Sequence, residues 1–418
     1  MPSPGPPVSN GLRDPQIRHV VFVVQENRSF DNLFQGYPGA DTVAFGTTHD
    51  GKKIRLHPTR FEDGQDIGHY HYSFLAAYDN GRNDGFDEEH GYGIVHGKYM
   101  RTSEPPTYPY AYVPRAQVTT YFDLAKEYVL ADRMFQSNSG PSFPAHLYLV
   151  AGQSGSIDEV PSLRPWGCDA PKSDRVAYLR RDGLDQAPGV YPCFDFRTIT
   201  DELDAKHLSW RYYIPPIETL AGSTYGSAFD AIRHVRFGPD FKREVSPETT
   251  IFSDLKIGAL PNVSWVVPTM TNSDHPQSKS ATGPDWVATV INAIGRSPQW
   301  RSTAIFVVWD DWGGWYDHVV PPQLDPMGLG YRVPLLVISP YAKRGYVSHV
   351  QHEFGSMLRF TEETFGLDPL SLTDSRADDL RDCFTFGRAP RAFHFVRAAH
   401  DESFFLLQPP SDEPNDQA

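Results

Sequence analysis

The apolar residues of this chain cluster in short continuous runs, and the first run covers residues 20–24. Five β-branched or aromatic residues in a row predict a strand that is buried on both faces, as in a parallel sheet. The run gives way to Glu26, Asn27 and Arg28, and Ser29 can cap a short helix behind them. Ligands bind at the carboxyl ends of strands in open α/β sheets, so this polar end is a candidate site. A polar loop that merely ends the strand is the alternative.

A second buried strand is predicted over residues 303–308, and it ends at Asp310 and Asp311. Helical spacing over residues 117–135 predicts a helix there. Strands and helices alternate in this way along most of the chain, which predicts an α/β fold with a mostly parallel central sheet. Residues 36–114 show little periodicity and predict a long loop excursion.

The domain organisation follows from the same pattern. Neither an internal repeat nor a low-complexity linker divides the chain, so residues 16–408 are predicted to form a single domain. Residues 1–15 are rich in Pro, Gly and Ser and are predicted to be a flexible arm without the apolar core of a signal peptide. Residues 409–418 are predicted to be a disordered acidic tail.

Charge and hydropathy argue against nucleic-acid binding and against a transmembrane segment. The net charge of −14 argues against a general nucleic-acid binder, because phosphate-backbone binding needs clustered Lys and Arg. The sequence contains no apolar run long enough for a transmembrane helix.

Of the three cysteines, Cys168 and Cys193 can close a disulfide and leave Cys383 free, and three buried thiols are the alternative.

The two polar strand ends together suggest a metal site. Glu26, Asn27, Asp310 and Asp311 offer three carboxylates and one amide oxygen, which suit a hard divalent cation such as Ca²⁺, Mg²⁺ or Mn²⁺, although Zn²⁺ is possible. Three carboxylates close together without a cation would repel one another, so a metal ion is the natural neutralising group. An acidic turn is the alternative for the Asp310-Asp311 pair.

Ser142 is the candidate nucleophile. Pro144 suits the first turn of a helix and Gly152 suits the position after its end, so Ser142 is predicted at a helix N-terminus, where an anion is favoured. The chain lacks a Gly-x-Ser-x-Gly elbow, which favours activation by a metal over an esterase-type triad. A helix-capping serine is the alternative. His69 and His275 lie in polar loops and can each stabilise an oxyanion or protonate a leaving group.

Several of these segments occur together, and in this order, in one known family. The chain resembles the phosphoesterase family of bacterial phospholipases C, plant non-specific phospholipases C and related acid phosphatases. The matching segments are Glu26-Asn27-Arg28-Ser29-Phe30-Asp31, Asp66-x-x-His69 with Asp84-Gly85-Phe86, Pro141-Ser142-x-Pro144, Ser273-x-His275-Pro276, and Asp310-Asp311-x-Gly313-Gly314 with Tyr316-Asp317-His318.

The resemblance implies an alkaline-phosphatase-like α/β/α sandwich that holds one divalent metal ion on Glu26, Asn27, Asp310 and Asp311. It implies Ser142 as the nucleophile that forms a phosphoserine, with His69 and His275 near the phosphoryl group. His234 and His146 are predicted to bind substrate. The chain departs from the common pattern at position 145, where many members carry Asn and this chain has Ala.

The implied function is a metal-dependent phosphoester hydrolase of the phospholipase C type, with a phosphoester small molecule or a phospholipid as substrate. An acid phosphatase acting on soluble monoesters, a sulfatase and a non-catalytic metal-binding protein are the alternatives. The family resemblance favours a secreted or periplasmic location. The sequence leaves the oligomeric state open.

Overall fold

The central sheet, its flanking helices and most of the connecting loops are seen in a computed structural model. It describes residues 16–62, 65–95, 98–102, 104–180, 189–217, 224, 228–278 and 280–409. The predicted arm and all but the first residue of the predicted tail lie outside these residues, and the single domain stays a prediction.

The described residues form one large sheet of eight strands. These are β1 (His19–Gln25), β2 (Val129–Ala131), β3 (Trp210–Tyr213), β4 (Val245–Ser246), β5 (Val263–Val266), β6 (Thr303–Trp309), β7 (Leu335–Ile338) and β8 (Tyr346–Ser348). Their order across the sheet is β4-β3-β5-β1-β6-β7-β2-β8. β7 is antiparallel to both of its neighbours, and every other neighbouring pair is parallel. The predicted mostly parallel sheet is therefore confirmed.

Twelve α-helices connect and cover the strands within the described residues. They are α1 (Phe30–Phe34), α2 (His71–Tyr78), α3 (Thr119–Glu127), α4 (Ser142–Ala151), α5 (Ile199–Ala205), α6 (Arg233–Arg236), α7 (Pro239–Glu244), α8 (Thr250–Lys256), α9 (Gly283–Arg296), α10 (Phe354–Phe365), α11 (Leu372–Arg376) and α12 (Glu402–Leu407). No helix of the described residues combines the length and the apolar character needed to cross a bilayer.

Helices cover both faces of the sheet. Successive side chains of a strand point to opposite faces, so Phe306 and Trp309 of β6 face opposite layers. Phe306 packs edge-on against Phe360 of α10, with ring centroids 5.2 Å apart. Trp309 packs against Tyr121 of α3 at 5.0 Å. The arrangement is thus the predicted α/β/α sandwich, and β1 and β6 lie adjacent at its centre with all but one of their residues buried.

The prediction of one helix over residues 117–135 is wrong in its second half. α3 ends at Glu127, and Val129–Ala131 is the sheet strand β2, which pairs with β7 and β8. A short apolar run fits a buried helix turn and a buried strand equally well, so periodicity could not separate them. Partners far along the chain decided the outcome.

Shorter strands organise the long excursions. Phe45–Thr47 pairs with Lys53–Arg55, His57–Pro58 with Ala111–Tyr112, Asp66–Ile67 with Gly91–Val95 and through it Lys98–Arg101, and Met134–Phe135 with His352–Glu353. Of the two alternatives for the cysteines, the structure has the disulfide between Cys168 and Cys193, while Cys383 is a buried free thiol.

Candidate active site

The two polar strand ends lie side by side. β1 and β6 pair in parallel with Gln25 opposite Trp309, so the residues that follow them, Glu26 and Asp310, leave the sheet at the same edge. The Asp310 amide donates to the Gln25 carbonyl at 2.9 Å, which extends the strand pairing to the site itself. Strand register therefore brings together carboxylates that are nearly 300 residues apart in sequence.

Asn27 joins the two ends. Its backbone is left-handed, with φ of 56°, and its amide N–H donates to Asp310 Oδ1 at 3.0 Å. Gly313 has φ of +62°, and a Cβ there would lie only 2.2 Å from the Asn27 carbonyl oxygen. The glycine after Asp310-Asp311 is thus needed for the close approach of the two loops.

Ser142 is the first residue of α4 and is completely buried. Its hydroxyl donates to Asp311 Oδ2 at 3.0 Å and lies 3.5 Å from Glu26 Oε2. The predicted nucleophile therefore contacts carboxylates from both strand ends. The helix N-terminus adds backbone N–H groups that favour a phosphoryl anion at this position.

His146 lies one helical turn after Ser142, so both side chains are on the same face of α4. His146 Nε2 is 3.0 Å from Glu26 Oε1 and 3.6 Å from Asp310 Oδ2. Burial raises the pKa of Asp310, but the hydrogen bond and charge of His146, together with hydrogen bonds from Asn27 and Ser142, outweigh burial and hold the pKa below its usual value. The structure places His146 among the carboxylates, and its predicted substrate-binding role stays a prediction.

The donor set fits a divalent cation. Ligand atoms of Glu26, His146 and Asp310 lie within 4.8 Å of one another, and all three side chains are buried. The Asn27 amide nitrogen donates to His69 Nε2 at 2.9 Å and to Asp311 Oδ2 at 3.5 Å. Its amide oxygen is buried and has no hydrogen-bond partner among the described residues. A buried oxygen acceptor beside three carboxylates is the arrangement expected of a metal ligand.

His69 is oriented by two groups on the side of its ring opposite Asn27. His69 Nδ1 donates to the Ile67 carbonyl at 2.7 Å, and Asp66 Oδ1 lies 3.7 Å from the same nitrogen. The carbonyl and the carboxylate hold the proton of the His69 ring on Nδ1. Nε2 therefore points toward Asn27 and the other candidate metal ligands. Asp66 was not assigned a role from the sequence, although it opens the Asp66-x-x-His69 segment.

His275 lies close to His69, with ring centroids 6.4 Å apart and the rings nearly perpendicular. The Gln277 amide donates to His275 Nδ1 at 3.2 Å. An imidazole that accepts a hydrogen bond at Nδ1 carries its proton on Nε2. The structure thus brings both predicted histidines to the same side of the site, with different protonated nitrogens.

His234 is not brought into this cluster. Its ring lies between Asp195 and Asp201 on the surface, with Nδ1 2.8 Å from one carboxylate and Nε2 3.0 Å from the other. Within the described part of the chain, these aspartates account for the hydrogen bonds of the His234 ring. The predicted substrate-binding role of His234 stays a prediction, and none of these contacts supports it.

Similar sequences share most of this chain. Hemolytic phospholipase C of Pseudomonas aeruginosa is 26% identical over 442 residues, which cover 88% of this chain and 56% of that protein. Phospholipase C B of Mycobacterium tuberculosis is 24% identical, covering 90% of this chain and 78% of that protein. Non-specific phospholipase C1 of Arabidopsis thaliana is 27% identical, covering 90% and 72%. The chain thus spans little more than half the length of the Pseudomonas protein.

Solved structures give weaker likenesses. A protein of the alkaline phosphatase superfamily from Vibrio parahaemolyticus matches with a TM-score of 0.41 and 12% identity, covering 87% of this chain and 70% of that chain. The lipoteichoic acid synthase LtaP from Listeria monocytogenes matches with a TM-score of 0.40 and 8% identity, covering 88% and 76%.

A sequence model of the Phosphoesterase family matches residues 17–368, which include both strand ends, the α4 serine and both site histidines. Since this match covers most of the chain, the protein belongs to the Phosphoesterase family.

Proposed function

We propose that the protein is a metal-dependent phosphoester hydrolase of the phospholipase C type in which Ser142 is the nucleophile. One observation carries the proposal: the Ser142 hydroxyl stands at the start of α4 and 3.0 Å from Asp311 Oδ2, beside the oxygen ligands of two strand ends. Relatives named phospholipase C support the phosphoester class of substrate.

Glu26, Asn27, Asp310 and Asp311 would hold one divalent cation, with His146 as a further ligand. When bound, the cation would lower the pKa of the serine hydroxyl and offset the negative charge that develops on the phosphoryl group. Carboxylate and amide oxygens favour Ca²⁺, Mg²⁺ or Mn²⁺, while the imidazole also suits Zn²⁺.

Three further side chains would transfer protons and donate hydrogen bonds during the reaction. Asp311 Oδ2 accepts the hydrogen bond of the hydroxyl, so it is placed to take the proton as Oγ attacks phosphorus and a phosphoserine forms. His69, with Nδ1–H held by the Ile67 carbonyl and Asp66 nearby, would protonate the leaving alcohol from Nε2, where a proton would replace the hydrogen bond from the Asn27 amide nitrogen. His275, protonated on Nε2, is suited to donate to a phosphoryl oxygen. Water then hydrolyses the phosphoserine.

The decisive test is Ser142→Ala. We expect hydrolysis to fall to background because no other group replaces the attacking oxygen, while the melting temperature stays close to that of the unaltered protein. Ser264→Ala removes an equally buried hydroxyl in β5 and serves as the matched control. Near-normal hydrolysis by Ser142→Ala would contradict the nucleophile assignment.

The substrate class is tested with one purified sample. We propose a phospholipid substrate, so phosphatidylcholine vesicles should be hydrolysed faster than p-nitrophenyl phosphate. The opposite order would identify an acid phosphatase of soluble monoesters, and turnover of aryl sulfates would identify a sulfatase. Binding of metal without turnover of any of these would identify a non-catalytic protein. The Cys168–Cys193 disulfide supports the secreted or periplasmic location that the family resemblance favours, because disulfides persist in oxidising compartments.

A further inference from the structure

We infer that Asp274 is a positioning residue that fixes His275 against the ends of β1 and β6. The inference rests on the proposed function, because it assigns to His275 a hydrogen bond to the phosphoryl group. Asp274 itself is fully buried and contacts the elements that carry the site. Asp274 would affect the reaction by fixing the position of His275, the next residue in the sequence.

The carboxylate of Asp274 is held from two sides. Oδ2 accepts from the Tyr121 hydroxyl at 2.7 Å and from Trp309 Nε1 at 2.9 Å. Tyr121 belongs to α3, and Trp309 is the last residue of β6, directly before Asp310. Two buried hydrogen bonds to one carboxyl oxygen define its position closely, because leaving either buried donor unsatisfied would cost free energy.

The backbone of Asp274 is tied to the other strand end. Its amide donates to Gln25 Oε1 at 2.9 Å, and its carbonyl accepts from Arg28 Nε at 2.8 Å. Gln25 ends β1 directly before Glu26, and Arg28 directly follows Asn27. The contacts of Asp274 therefore flank the Glu26-Asn27 pair on both sides and the Asp310-Asp311 pair on one side, and none of them is to a proposed metal ligand.

The lack of a side chain at Gly283 leaves space for the Asp274 carboxylate. A Cβ on Gly283, at the start of α9, would lie 2.0 Å from Asp274 Oδ1. A side chain at that position would push the carboxylate away from its two donors. Gly283 therefore allows α9 to approach the carboxylate closely enough to seal it in the core.

The contacts of Asp274 restrict the position of the next residue, His275. Since the loop is fastened at residue 274 to β1, β6 and α3, the next residue has little freedom to shift. A hydrogen-bond donor stabilises a transition state only within narrow limits of distance and direction, and a displacement of about 1 Å can cost on the order of a hundredfold in rate. We expect Asp274 to act on kcat through His275.

The experiment compares Asp274→Ala and Asp274→Asn with the unaltered protein loaded with its metal. Asp274→Ala removes the acceptor and should lower kcat about ten- to a hundredfold with KM within about threefold. Asp274→Asn keeps one oxygen for both donors and should retain most of kcat. Asp374→Asn, an equally buried aspartate whose partners lie at the start of α11, is the matched control and should leave kcat unchanged.

A double-mutant cycle separates positioning from general loosening of the fold. In a His275→Ala background, Asp274→Ala should lower kcat by less than about twofold, because the residue it positions is gone. An equal loss in both backgrounds, or a normal kcat in Asp274→Ala, would overturn the inference. If Asp274→Ala does not fold, Tyr121→Phe takes its place, and it should lower kcat only where His275 is present.

The proposed function can fail separately from this inference. If Ser142→Ala remains active, the nucleophile assignment is wrong whatever Asp274 does. If Ser142→Ala is inactive and the Asp274 and His275 substitutions are additive, only the positioning role is wrong.

Discussion

Two buried clusters of acidic side chains follow the same two strands, and they are neutralised differently. The first contains Glu26, Asp310 and Asp311, directly at the strand ends. The second contains Asp31, in α1, and Asp317, in the loop after β6, each a few residues further along the chain. Each cluster also contains a histidine, and each has the donor atoms of a possible metal site.

Arg332 distinguishes the second cluster from the first. This arginine is fully buried, and its Nε and Nη2 donate to the two oxygens of Asp317 at 2.8 and 3.1 Å. Nη2 also lies 3.5 Å from Asp31 Oδ1, and His318 Nδ1 lies 2.6 Å from the other oxygen of Asp31. A guanidinium already supplies the positive charge, so this cluster joins α1 to the loop after β6 as a structural ion-pair network.

A cluster of buried carboxylates that could ligate a metal does not by itself identify a metal site. At the strand ends, the partner is the imidazole of His146, and the amide oxygen of Asn27 has no hydrogen bond within the part of the chain that the structure describes. In the second cluster, the guanidinium of Arg332 supplies a permanent positive charge. The first cluster is therefore the better metal candidate, and the following predictions test that difference.

The largest effect is expected on catalysis from Asp310→Asn. Loss of a proposed ligand should lower kcat/KM about ten-thousandfold, or about 5 kcal/mol, because the cation supplies most of the charge stabilisation. Bound metal measured by elemental analysis should fall with it. Asp285→Asn, which removes a buried carboxylate that binds the backbone near residue 400, is the control. Full activity in Asp310→Asn would place the metal elsewhere.

Arg332→Met should act on stability instead. Removing the guanidinium leaves Asp31 and Asp317 buried without their main counter-charge, and we expect the free energy of unfolding to fall by about 3–5 kcal/mol. Urea denaturation measures this change. Arg344→Met breaks a surface pair with Glu127 and should cost less than about 1 kcal/mol. Equal losses in the two variants would contradict the structural role of the second cluster.

Metal removal should distinguish the clusters directly. Returning the cation to chelator-treated protein at about a hundred times its Kd should raise the unfolding free energy by about 2.7 kcal/mol. Asp310→Asn should abolish this gain. A gain that persists in Asp310→Asn would assign the binding to another cluster.

The last prediction, the smallest per unit of pH, concerns a third way of neutralising a buried acid, namely a retained proton. Burial, followed by the negative charge of Asp374, raises the pKa of Glu362 to about 9, against 4.5 for the free side chain. Between these values the folded protein keeps a proton that the unfolded chain releases. Stability is therefore fully present below about pH 4.5 and falls as the pH rises toward 9, by up to about 1.4 kcal/mol per pH unit.

Glu362→Gln should flatten this slope, because the amide is neutral at every pH in the range. Urea midpoints from pH 5 to 9 measure the effect. Glu363→Gln, at the next position on α10, leaves Glu362 in place and should keep the slope. A slope in Glu362→Gln equal to that of the unaltered protein would rule out Glu362 as its origin.

The sequence by itself determined the strands that carry the site and the residue types at their ends. Continuous apolar runs predict buried parallel strands, and the residues that follow such strands converge at one edge because parallel strands end together. The helix at Ser142 was also readable, since Pro144 and Gly152 mark its ends locally. These signals lie within a few residues of the feature that they predict.

Only the tertiary structure decided which charges meet. Arg332 reaches Asp31 and Asp317, His146 reaches Glu26, and Asp274 reaches Tyr121 and Trp309, across separations in sequence that leave no local pattern. The same holds for Val129–Ala131, whose partners made it a strand, and for His234, which the path of the chain placed on the surface. Side-chain type sets what a residue can do, but neutralisation of a buried charge depends on which group the fold brings within about 4 Å.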